Sequence, residues 1–139
     1  MEIIANAVQT ISATQNVLFT DTITTGNCSI MHRAGSGLVT LRGVTNQCRA
    51  RYKVTFGGNI AIPTGGTVGP ISLALVVDGE PLTSTTMIAT PAATENFWNV
   101  FTATYIDVPQ GCCISVAVHN VTDQSILVQN ANLIIERVA

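Results

Sequence analysis

Arg49-Ala50-Arg51-Tyr52-Lys53-Val54-Thr55-Phe56 alternates without a slip. Successive side chains of an extended chain point to opposite faces, so Ala50, Tyr52, Val54 and Phe56 share one side. Arg49, Arg51, Lys53 and Thr55 share the other. The stretch is a half-buried β-strand with a basic outer face. Gly57-Gly58 are expected to break or bulge it before Asn59-Ile60-Ala61-Ile62. Pro63-Thr64-Gly65-Gly66-Thr67 has the chemistry of a loop. Ile71 to Val77 is a strand ended by the Asp78-Gly79 turn pair and followed by Pro81-Leu82. Phe97 to Val108 is long, aromatic and β-branched, and stops at Pro109-Gln110-Gly111. Cys113 to Val121 and Ser125 to Val138 read as a closing hairpin through Thr122-Asp123-Gln124. Toward the N-terminus, Val8 to Ala13, Asn16 to Thr22, Ser29 to Arg33 and Leu38 to Arg42 read as shorter strands. No window carries the apolar stripe of a helix longer than about two turns.

Nine or ten short strands with Gly, Pro, Asn and Asp between them predict an all-β, antiparallel jelly-roll sandwich. The chain has 139 residues, which fits a single domain over 1–139. A globule of that size needs no metal or disulfide to fold. Only 10% of the residues are charged, against 47% apolar, where an average domain is ~25% charged. Such a surface favours association. The hydrophobicity excludes disorder, and no run approaches the ~18 apolar residues of a membrane helix. The formal net charge of -2 supplies no excess cation to displace counterions from phosphates. Neither nucleic acid nor membrane is an expected partner.

Met1-Glu2-Ile3-Ile4-Ala5-Asn6 lacks a basic start, and Asn6, Gln9 and Thr10 interrupt any apolar core, so no secretory signal is read. Synthesis in a cytosol is expected, with Cys28, Cys48, Cys112 and Cys113 as reduced, buried thiols. Their spacing fits no zinc template, because the adjacent Cys112 and Cys113 diverge and neither His32 nor His119 extends a ligand set. The Asn27-Cys28-Ser29 and Asn120-Val121-Thr122 sequons have no role without secretion. Gly35-Ser36-Gly37 reads as a hairpin tip rather than a nucleophile elbow. Gly57-Gly58 and Gly65-Gly66 precede no helix and cradle no phosphate. Asp78, Glu80, Asp107 and Asp123 sit at strand ends, where they cap turns. His119 reads as a structural histidine. The chain is therefore expected to be no enzyme, with no cofactor and no metal.

Two strands break the in-out rule. Phe97, Phe101 and Tyr105 oppose Trp98, Val100, Ile106 and Val108. Leu127, Ala131, Leu133 and Ile135 oppose Ile126, Val128, Ile134 and Val138. A strand apolar on both faces is covered on both, one inside the sandwich and one by a neighbouring subunit. Phe97, Phe101, Tyr105 and Ile134 are the candidate contact residues, and Trp98, Val100, Ile106 and Val108 are then expected inside. Arg33, Arg42, Arg49, Arg51 and Lys53 fall in a window without acidic residues. Arg49, Arg51 and Lys53 are the candidates for docking on an acidic partner, with a solvated face, or salt bridges to the acidic half of a neighbouring subunit, as the simpler reading.

Tyr52-Lys53-Val54-Thr55-Phe56 with its glycine break, and Ile71-Ser72-Leu73-Ala74-Leu75 leading to Asp78-Gly79-Glu80-Pro81, resemble the middle of a TNF-like jelly roll. Ile106-Asp107-Val108-Pro109-Gln110-Gly111, Ile114-Ser115-Val116 and Leu133-Ile134-Ile135-Glu136-Arg137-Val138 resemble its last three strands. In style the chain is similar to complement-type and spore-surface globular heads, and most of all to small virion proteins of phages of Gram-positive bacteria. The resemblance implies a homotrimer packed through the sheet that holds the equivalents of Phe97–Val108 and Ser125–Val138. It also implies a non-catalytic virion structural protein, a capsid decoration or other head or tail surface subunit. Such a protein would dock on the major capsid protein or another virion protein, on a virion surface, after synthesis in the host bacterial cytoplasm. The competing expectation is a receptor- or glycan-binding head of a phage fibre or a spore-surface protein.

Overall fold

The computed structural model describes every residue of the chain except Asn27. Its strands are β1 (Glu2–Ala5), β2 (Gln9–Ile11), β3 (Asp21–Thr24), β4 (Ile30–His32), β5 (Val39–Arg42), β6 (Arg49–Ala61), β7 (Ile71–Val77), β8 (Glu80–Pro81), β9 (Met87–Ala89), β10 (Trp98–Pro109), β11 (Cys113–Asn120) and β12 (Ile126–Arg137). One 3-10 turn, Thr83–Thr85, precedes β9. The first sheet runs β10-β6-β12-β1-β3, with β2 also on β12. The second runs β4-β5-β11-β7-β8, with β9 on β7. All pairs are antiparallel. The all-β jelly-roll sandwich expected from the alternation is the observed architecture.

Between the sheets lies one apolar core. Tyr52, Val54, Phe56, Leu133 and Ile135 from the first sheet pack with Val39, Leu41, Leu73, Leu75, Val116 and Val118 from the second. Phe19 meets Phe56 edge to face at 6.4 Å. Asp78 and Gly79 both adopt positive φ, 49° and 86°, which is the twist a two-residue hairpin turn between β7 and β8 requires.

Several expectations are corrected. β6 runs unbroken through Gly57-Gly58, and the bulge lies on the facing strand β12. There the register passes from Gln129↔Asn59 to Asn132↔Gly57, one residue more on β12 than on β6. Asn130 takes up the extra residue with φ 56°. Gly58 leaves room for this, since a Cβ there would stand 3.5 Å from Ala131 Cα. The bulge moves Ile126 and Val128 to the same side as Ala131, Leu133 and Ile135, and all five are core. The two-faced reading of Ser125–Val138 therefore dissolves except for Leu127 and Ile134, and Val138 lies exposed beyond the end of β12.

β11 and β12 form no hairpin. β11 has β5 and β7 at its edges, while β12 lies in the other sheet, and the chain crosses between them. Nor are Phe97–Val108 and Ser125–Val138 neighbours, since β6 separates them. Trp98 leaves the sandwich at the mouth of β10 and is half exposed, while Val100, Ile106 and Val108 are buried. The cysteines are free as expected, but all four are exposed. Met1–Asn6, not read as structure in the sequence, supplies β1.

Candidate self-association face

The outer face of the first sheet follows from register. On β10, Phe101 stands opposite Gly57 of β6, Ala103 opposite Thr55, Tyr105 opposite Lys53 and Asp107 opposite Arg51. On the other side of β6, Asn132, Ile134 and Glu136 of β12 stand opposite Gly57, Thr55 and Lys53. β1 continues the rows with Ile4 beside Asn132 and Glu2 beside Ile134. Asp21 of the edge strand β3 lies beside Ile4. Paired residues share a face, so these side chains form one surface.

Phe101 and Tyr105 are 65% and 62% exposed, and Ile134 is 39% exposed. Gly57 offers Phe101 no cross-strand side chain, so the ring has no cover from β6. Phe97 precedes the strand and is half-buried. Beside the aromatics lies the charged row. Arg51 donates from Nε and Nη2 to the Asp107 carboxylate at 2.8 and 3.2 Å. Arg49 Nε lies 3.2 Å from the same carboxylate. The hydrogen bonds from Arg51 hold Asp107 below the usual carboxylate range against the opposing effect of burial, and the charges of Arg51 and Arg49 add to them. Asp107 in turn raises Arg51.

The structure thus puts Arg49, Arg51 and Lys53 on the same face as Phe101, Tyr105 and Ile134. The two candidate sites of the sequence, self-association and docking, occupy one surface. Two of the three cations are paired with Asp107 within the chain, which neither reading of them named. Glu2 and Ile4 of this face went unread because β1 was not recognised, and Asp21, inside a stretch read as a strand, could not be placed beside them without it. The signal of β1 was present, with Ile3 and Ala5 inward and Glu2 and Ile4 outward.

The histidines are not brought together. β5 lies between His32 on β4 and His119 on β11. His32 Nε2 donates to the Ser36 carbonyl at 2.9 Å, leaving its buried Nδ1 without a partner. His119 Nδ1 donates to Asn16 Oδ1, also at 2.9 Å. Asn120 is fully buried. Its amide donates to the carbonyls of Ile11, Ser12 and Gln124, and its Oδ1 accepts from Thr122 N. That leaves the Asn120 sequon no accessible amide. Asn27 of the other sequon lies outside the described residues. Among the described residues no three His, Cys, Asp or Glu side chains gather as a metal site, and no helix is long and apolar enough to cross a membrane.

No protein-family model and no curated protein sequence matches the chain. Solved structures do. The globular domain of zebrafish complement 1qA protein superposes with a TM-score of 0.61 at 14% identity, covering 96% of this chain and 93% of that one. Murine APRIL at pH 5.0 superposes at 0.60 with 10% identity, covering 95% and 96%. The chain has the fold of TNF-like, complement-type globular heads over nearly its whole length.

Proposed function

We propose that this chain is a non-catalytic, self-associating structural head, a homotrimer closed through the outer face of its first sheet. The observation that carries the reading is the exposure of Phe101 and Tyr105 beside Ile134 on that face. Monomers rarely leave two large aromatics unshielded together on one sheet face. The low charged fraction supports it, since few charges need stay hydrated. Light scattering on the purified chain should return three times the chain mass. A stable monomer would end the reading.

The finer setting is the surface of a virion, where a small trimer decorates the capsid or another part of the head or tail. It would be made in the cytoplasm of the host bacterium and dock on the major capsid protein or another virion protein. The resemblance to small phage virion proteins supports this setting. Because Arg49, Arg51 and Lys53 lie on the self-association face, that docking would use another surface. Copurification with virions in a fixed ratio to the major capsid protein is the expected result, and absence from purified particles would refute it.

A second reading, a receptor- or glycan-binding head of a fibre or a spore surface, is favoured by one residue. Trp98 is half exposed between exposed Asn96 and Asn99, an aromatic plane on which a sugar ring can stack. Glycan-array binding abolished by Trp98→Ala would support it.

A further inference from the structure

We infer that copies of this chain meet heterologously, the basic half of the outer face of the first sheet seating on the acidic half of the next copy. This rests on the self-association reading and specifies its contact. The face is divided by strand. β6 and β10 turn Arg49, Arg51 and Lys53 outward against the single carboxylate of Asp107. β12, β1 and β3 carry Glu136, Glu2 and Asp21 and no outward side-chain cation. The nearby N-terminal ammonium is engaged elsewhere, donating to the Ile135 carbonyl at 2.6 Å.

Lys53 is the focus of the basic half. Glu136 is its register partner, yet among the described residues the ion pairs are those of Arg49 and Arg51 with Asp107, and Lys53 has none. Asp21 likewise has no ion pair among them and lies on the exposed edge strand. Two like halves brought together would place unpaired like charges against each other. Basic on acidic satisfies both, and repetition of that step around a closed ring leaves neither half uncovered. The apolar side chains of Phe101, Ala103 and Ile134 hold the contact. The charges set its direction and speed its formation.

Lys53 is the only lysine in the chain, so carbodiimide coupling of side-chain amine to carboxylate reports on it alone. The protein is assembled from equal amounts of isotopically heavy and light chain, coupled, digested and read by mass spectrometry. Heavy–light links from Lys53 to Glu2, Asp21 or Glu136 are expected, with bands of two and three joined chains on a denaturing gel. Lys53→Glu should weaken association about two- to fivefold, and Glu2→Lys in the same chain should restore it. Heavy–light links confined to Asp78, Glu80, Glu95, Asp107 or Asp123 would overturn the seating, as would none or joining that stops at pairs. Native light scattering separates the two failures. A trimer with the wrong links overturns only the seating, whereas a monomer overturns the self-association on which it rests.

Discussion

Tyr52 is a core residue with a polar errand. Its ring is fully buried, and its hydroxyl crosses from β6 to donate to the Arg42 carbonyl at the end of β5, at 2.6 Å. Tyr52→Phe leaves the ring packing and strands that carbonyl. A loss of about 1–2 kcal/mol in denaturant unfolding is expected. Alternation announced that Tyr52 faces inward, but not that its oxygen joins the two sheets. Asp107 behaves differently because it is exposed. Its folded pKa lies below the unfolded value, so its pairing stabilises above about pH 4 and is lost as pH falls through the lower folded value. Asp107→Asn should melt slightly below the native chain at neutral pH, and the gap should close as pH falls well below about 4. A gap that persists in acid would show that ionic pairing has no part in it.

At the scale of elements, β12 shows how far period-two reading reaches. Its apolar content was legible, and so was its strand character. Its faces were not, because one inserted residue reverses every side chain beyond it. Asn130 absorbs that residue in the left-handed region, where a β-branched side chain is strained. Asn130→Val should cost about 1–2 kcal/mol, while Asn130→Gly should be near neutral, both measured by thermal unfolding. Equal melting of the two variants would mean that the bulge relaxes without cost. β6 was read from Arg49 to Phe56, where alternation is uninterrupted, but its run on through Gly57-Gly58 to Ala61 was not, because paired glycines signal a break. β1 is only 4 residues long and too short for periodicity to stand out.

For the whole molecule, β10 carries the sharpest contrast. Val100 is 7% exposed and Phe101 65%, so adjacent positions face the core and the open sheet. Val100→Asp puts an unpaired charge into the core, which should yield insoluble protein. Phe101→Asp should yield folded, soluble monomers, because each contact would bury an uncompensated charge. Soluble trimers from both variants would remove the sheet face as the site of association. The sequence by itself determined the β class, the approximate strand positions, the Asp78-Gly79 turn and the inward set of β6. These follow from alternation and turn chemistry, which act over a few residues. Only the tertiary structure decided which strands are neighbours, that β11 and β12 part into different sheets, and that the bulge sits on β12. It alone brought the basic row and the aromatic row onto one face. Pairing across a sandwich joins residues far apart in the chain, and no local period records the partner.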